Sequence, residues 1–163
     1  MLKKIVWLAV ATLFFAFQVL TPSANAVDLD AESRTVPLNA NGDTLTISVP
    51  ELAQGKKMFQ YACAQCHAGG VTKTNPNVGL EPETLALATP PRDNVEELVS
   101  FMRAPMSFDG FNDISEEHPA LSSKDLFPEM RNLTDDDLQA IAGYILIQPR
   151  VVGVKWGGGK IYY

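Results

Sequence analysis

Cys63-Ala64-Gln65-Cys66-His67 is the stretch around which the rest of the chain is read. The chain has two cysteines and two histidines, and three of those four residues stand in this one run. Cys-x-x-Cys-His is the attachment signature of a c-type haem. Residues three apart at the end of a helix share a face. Both thiols can therefore reach the vinyl groups of one porphyrin, and His67 can place an imidazole nitrogen on its iron. Three other chemistries use the same residue types. A redox dithiol belongs to a βαβ context, and strand–helix alternation is missing here. Zinc needs four ligands, which two cysteines and two histidines would supply on paper. A disulfide suits an exported chain, but closing so short a loop contributes little chain-entropy stabilisation.

The flanking sequence supplies a small helical scaffold. Upstream, residues 34–49 alternate apolar and polar about Asn41-Gly42, with Val36, Leu38, Leu45, Ile47 and Val49 on the apolar side, which predicts a β-hairpin. Pro50 can open a helix, and Leu52, Lys56, Phe59 and Cys63 follow at helical spacing into the cysteine motif. Downstream, paired glycines and four prolines between Gly69 and Pro91 predict a long loop with a short turn at Glu83 to Leu87. Loops of that length are usually functional or wrapped on a ligand.

A second helix is expected after Asp93 or Asn94 as cap, with Val95, Leu98, Val99 and Met102 on one face and Pro105 beyond its end. Residues 106–128 read as irregular. The clearest helix spans Leu133 to Ile147, with Thr134 as cap, Asp135, Asp136 and Asp137 at its positive end, and Leu138, Ile141, Ala142 and Ile145 as its buried stripe. The tail after Pro149 is apolar enough to pack, and Trp156, Tyr162 and Tyr163 suit a core or an interface equally. The fold expected is therefore mainly α, a c-type cytochrome fold of few helices around one covalent haem, with an N-terminal β-hairpin and long loops.

The first 26 residues have the order of a secretory leader. Lys3 and Lys4 precede an apolar run from Ile5 to Phe17, and Ala24-Asn25-Ala26 is an Ala-x-Ala cleavage site. The run is shorter than the ~20 residues a spanning helix needs. Cleavage after Ala26 would leave residues 27–163 as one domain, exported across a membrane but not spanning it. The leader takes two of the 13 Lys and Arg and none of the 19 Asp and Glu, so the remainder has a net charge of −8. Such a chain does not seek nucleic acid.

If His67 holds one side of the iron, the other side has several candidates. They are His118, Met102, Met106 and Met130, with Met58 more remote. Met102 shares a helical apolar stripe, so packing is its default. Met130 precedes the last helix, where small cytochromes c commonly carry a methionine ligand. His118 lies in an irregular segment, and Pro119 biases it toward extended backbone. Residue reading alone leaves His118 and Met130 both open. Two histidines would give a lower potential than histidine with methionine.

Several longer stretches carry a resemblance. They are Phe59-Gln60-Tyr61-Ala62-Cys63, Thr72-Lys73-Thr74-Asn75-Pro76, residues 84–94 through Pro90-Pro91-Arg92, His118-Pro119, residues 130–134, and Lys155-Trp156-Gly157-Gly158-Gly159-Lys160. On these, the whole chain resembles the cytochrome c-550 family, the extrinsic cytochromes of photosystem II. The resemblance implies one covalent haem c, with thioethers at Cys63 and Cys66 and with His67 and His118 as axial iron ligands. It also implies a peripheral place on the lumenal face of the thylakoid membrane. There the partners would be photosystem II core proteins and other extrinsic subunits. The role implied is support of oxygen evolution, by protecting the manganese cluster and its calcium and chloride. The alternative is a soluble monohaem electron carrier, whose acidic surface would steer it to a basic partner. An enzyme is the weakest expectation, because two axial ligands leave no open iron position.

Overall fold

A computed structural model describes residues 29–158, together with Lys3, Lys4, Val6, Trp7, Val10 and Thr12. The expected cleavage site at Ala24-Asn25-Ala26, Tyr162 and Tyr163 lie outside the described residues. Among the described residues, no helix is long and apolar enough to cross a membrane.

The hairpin forms where alternation predicts it, but with a shorter ladder. Strands β1 (Thr35–Pro37) and β2 (Thr44–Thr46) pair antiparallel, with Val36 opposite Leu45. The connection is longer than a two-residue Asn-Gly turn. Leu38 N–H closes it onto the Asp43 carbonyl at 2.8 Å, and the Asn39 side chain accepts from Asn41 N–H at 3.0 Å. Gly42 takes the positive φ of 92° that such a turn needs. Val36 and Ile47 are almost wholly buried. Val49, expected on the same apolar face, is exposed because it already belongs to the following helix.

Helix α1 (Val49–Ala62) starts from a complete capping box, in which Ser48 accepts from Glu51 N–H and the Glu51 carboxylate accepts from Ser48 N–H. Its buried line is Gly55, Phe59 and Ala62; of the residues expected at helical spacing, Leu52 and Cys63 pack partly buried beside it and Lys56 is exposed. Gly55 sets this rotation. A Cβ built there would meet the Ala140 carbonyl oxygen at 2.0 Å, so α1 lies against the last helix backbone to backbone.

A single turn, α2 (Ala64–His67), carries the rest of the cysteine motif. The loop beyond it contains one short helix, α3 (Pro82–Leu87), at the predicted turn. Helix α4 (Val95–Arg103) is capped by Asn94, whose side chain accepts from Glu97 N–H at 3.0 Å, and it buries Val95, Leu98 and Met102. Residues 104–134 are irregular apart from two short 3-10 turns and an isolated Met106–Asp113 bridge.

Helix α5 (Asp135–Val152) runs five residues beyond its expected end at Ile147, straight through Pro149. Proline removes one ladder hydrogen bond, yet tertiary anchoring just beyond it carries the helix on. Arg150 Nη1 donates to the carbonyls of Glu32, Ser33 and Thr35, tying the last turn of α5 to the start of the hairpin. The core lies between α1, α4 and α5. Phe59, Tyr144 and Trp156 meet there with ring centroids 5.2 to 6.1 Å apart. Trp156 is therefore a core residue, 5% exposed.

Candidate haem site

The end of α1 delivers the motif. Cys63 N–H still bonds the Phe59 carbonyl, and Cys66 and His67 N–H both return to the Cys63 carbonyl, at 3.1 and 2.9 Å. This turn winds the motif over a cavity of about 370 Å³, onto which Cys63 and His67 open. Most of its wall is apolar, from Phe59, Val78, Leu80, Leu85, Leu98, Phe101, Met102, Ile114 and Ile145. The two cysteines form no disulfide with each other, and both are half-buried. Burial pushes the Cys63 thiol up to about 12, with help from Glu129, so the protein alone keeps it protonated. Among the described residues, no three or more His, Cys, Asp or Glu side chains converge as a zinc site requires.

His118 reaches the same cavity from the irregular segment. Its N–H caps a turn on the Ile114 carbonyl at 2.8 Å, and Ile114 N–H is tied to Pro105 at 3.0 Å. The His118 ring faces His67 with centroids 6.0 Å apart and rests edge-on against Phe101 at 4.8 Å. Two imidazoles on opposite sides of one metal, each bonded at about 2 Å, stand about 6 Å apart between centroids. Burial pushes His118 down to about 4, reinforced by His67 and Arg92 and opposed by its Pro119 hydrogen bond. Burial likewise lowers His67. Both rings are thus neutral at pH 7, the form that can donate a lone pair to a metal.

The other candidate ligands are placed differently. Met130 is 3% exposed and packs in the helical core. Met106 is half-buried in the Met106–Asp113 bridge, and Met58 packs partly buried against the core. Met102 does line the cavity, but it also belongs to the buried stripe of α4.

Three residues that pattern reading passed over complete the walls. Arg92 lines the cavity, its Cζ 4.0 Å from the Phe101 ring centroid, and Nη2 donates to the carbonyls of Met106 and Ser107, each at 2.8 Å. It fixes one irregular segment to the other and brings a cation to an apolar pocket. Phe101 sits three residues after Leu98, on the flank of the predicted stripe, so a wider stripe would have included it. Thr72 hydrogen bonds to His67 Nδ1 at 3.1 Å. Nothing in residue spacing signals that contact, because a side-chain bond across a loop has no period.

Helices packed around an apolar cavity, with the cysteine motif on one wall and a second imidazole on the other, define a c-type cytochrome. The residues present suit a haem in donor set, cavity lining and imidazole spacing. The family model described as the cytochrome c-550 domain matches residues 27–163. The chain belongs to the cytochrome c-550 family. It is 60% identical to photosystem II extrinsic protein V of Nostoc sp. over 163 residues, covering the whole of both chains. It is 59% identical to photosystem II extrinsic protein V of Trichormus variabilis, again over both full lengths. The crystal structure of cytochrome c549 superposes with a TM-score of 0.77 at 57% identity, covering 78% of this chain and 99% of that one.

Proposed function

We propose that this chain is an extrinsic haem-bearing subunit of photosystem II. One haem c is bound covalently through Cys63 and Cys66, with His67 and His118 as its axial ligands. The observation that carries the reading is the pair of imidazoles 6.0 Å apart on an apolar cavity beside the cysteine motif. A bound haem supplies one-electron exchange. What this chain's own residues do is hold and enclose it. His67 and His118 would both be committed to holding the iron, which would leave no iron position for a substrate and argues for a role other than enzyme. Two histidines also favour a low potential, since methionine ligation would raise it.

Residues 1–26 would be removed on export. The match to the family model begins at Val27, the residue after the expected cleavage site, and supports that boundary. The mature protein would then lie in the thylakoid lumen, peripheral to the membrane. It would bind photosystem II core proteins and other extrinsic subunits, and help retain the calcium and chloride of the manganese cluster. Full-length identity to proteins named photosystem II extrinsic protein V favours this reading over a freely diffusing carrier.

Reconstitution tests it. Photosystem II stripped of its extrinsic subunits should evolve less oxygen when this protein alone is left out, most clearly at low calcium or chloride, and should recover on its return. Oxygen evolution indifferent to the protein under those conditions would refute the subunit reading. A redox titration should also show a low midpoint that rises in His118→Met. A high midpoint in the unaltered protein would refute bis-histidine ligation.

A further inference from the structure

The cavity wall behind His67 holds a relay of two hydrogen bonds. Thr72 Oγ1 lies 3.1 Å from His67 Nδ1 and 2.5 Å from the Val78 carbonyl oxygen. A hydroxyl has one proton to donate, and a carbonyl can only accept. The shorter bond therefore commits the Thr72 proton to Val78, and the hydroxyl oxygen is left to accept from His67. His67 must then carry its proton on Nδ1, which leaves the Nε2 lone pair free for a metal.

We propose that Thr72 is a positioning residue for the haem iron, selecting the Nδ1–H tautomer of His67, fixing its ring and strengthening it as a ligand through the Val78 carbonyl. The inference rests on His67 being an iron ligand, as proposed above. A hydroxyl that donates at one end is polarised into a better acceptor at the other. A ligand imidazole whose second nitrogen donates to a good acceptor becomes more basic. Greater basicity favours the ferric ion, which pulls the potential down.

The loop is built to hold this hydroxyl still. Lys73 N–H bonds back to the Cys66 carbonyl at 3.0 Å, and Lys73 Nζ reaches the Gln65 carbonyl at 2.5 Å, so the residue after Thr72 is tied to the cysteine motif. On the acceptor side, Val78 N–H bonds the Asn75 carbonyl at 3.1 Å and Leu80 N–H bonds the Gly70 carbonyl at 2.7 Å. The opposite face of the cavity works differently. His118 Nδ1 bonds the carbonyl of its own neighbour Pro119 at 2.9 Å, a main-chain contact that no side-chain substitution removes. Of the two imidazoles, it is His67 whose Nδ1 is bonded by a side chain, which mutagenesis can change.

The test uses the haem-loaded protein and the substitutions Thr72→Val and Thr72→Ser. Valine keeps the shape and removes the relay, whereas serine keeps the hydroxyl. Thr72→Val should raise the midpoint until the ferrous-to-ferric ratio at the wild-type midpoint is about three- to tenfold higher, tenfold being about 59 mV for one electron. Thr72→Ser should return it to within about twofold of wild type, on the same conversion. In wild type, a nitrogen-15 correlated proton spectrum should show His67 protonated at Nδ1, and in Thr72→Val that resonance should move upfield as its hydrogen bond is lost. The wild-type spectrum needs no variant to fold, and an unprotonated Nδ1 would overturn the proposal outright. An unmoved midpoint in folded Thr72→Val, with bis-imidazole bands retained, would sink the relay and leave the ligation reading intact. Wild-type bands of a methionine-ligated haem would overturn both.

Discussion

The two halves of the molecule are held together by different means. Between α1 and α5 the contact is apolar and close. Gly55 admits the Ala140 carbonyl, Phe59 packs on Tyr144, and Leu138, Ile141 and Ile147 have essentially no exposed surface. The segments 68–94 and 104–134 have little regular structure, and side chains bonded to main-chain groups hold them in place. Arg92 clamps Met106 and Ser107, Arg131 bonds the carbonyls of Lys124 and Asp125, and Ser107 accepts from Asn112 N–H. The helical half closes on itself, while the loop half closes around a cavity. A pattern of apolar residues suffices to specify the first. The second depends on individual polar contacts, each of which can fail alone.

Trp156 joins the halves, so its loss should produce the largest effect. Its ring packs on Phe59 and Tyr144, while Nε1 donates to the Leu80 carbonyl at 2.8 Å and the next residue, Gly157, bonds the Gly69 carbonyl at 2.9 Å. Trp156→Ala should cost about 3–5 kcal/mol in urea unfolding. Amide exchange should then show residues 68–80 opening ahead of α1 and α5. Equal acceleration in both regions would mean that the halves are one cooperative unit and that the distinction between them is only descriptive.

Gly55→Ala probes the helical half alone. Its Cβ would meet backbone atoms of Ala140 at 2.0 and 2.6 Å, which cannot swing aside as a side chain would, so α1 and α5 must separate. A loss of about 1–3 kcal/mol is expected. If the halves are separable, the visible spectrum of the haem-loaded protein stays unchanged at temperatures below the lowered melting point. A shifted spectrum would show that strain in the helix pair reaches the axial ligands.

This division also explains what could be read in the chain before its structure was known. The α4 stripe of Val95, Leu98 and Met102 and the α5 stripe of Leu138, Ile141 and Ile145 are visible as periodicity, since apolar burial repeats with the helix. The cysteine motif is legible because its spacing is itself the chemistry. Which of His118 and Met130 reaches the cavity is not periodic. His118 is placed by a turn on Ile114, itself tied to Pro105, while Met130 enters the core, and neither placement leaves a repeat in the sequence. Pro149 misled for the same reason. The local cost of proline is plain in the sequence, and the Arg150 anchor that offsets it lies across the fold, more than 100 residues away. Thr72 and Arg92 stand in stretches that carry the family resemblance, but their contacts are not legible there, because a single polar contact leaves no mark on its neighbours in sequence.

The smallest effect expected is at Asp137, and it tests whether the helical half too depends on polar contacts. Asp137 closes the capping box at the start of α5 with Thr134, and it accepts from Gln54 of α1 at 2.8 Å. Partial burial pushes its carboxyl up, but hydrogen bonds from Thr134 and Gln54, together with the charge of Lys57, outweigh that and hold it below its ordinary value of 3.8. A carboxylate depressed in the folded state stabilises the fold above its unfolded pKa, and that contribution is lost as pH falls through the folded value. Asp137→Ala should therefore lower stability by about 0.3–1 kcal/mol at pH 7. The difference from wild type should shrink as the pH is taken below 3.8. Urea midpoints at pH 7 and pH 3 measure both quantities. A difference that persists undiminished in acid would show that Asp137 acts through packing with Gln54 and not through its charge, and the contact between α1 and α5 would then be apolar in its energetics even at this polar pair.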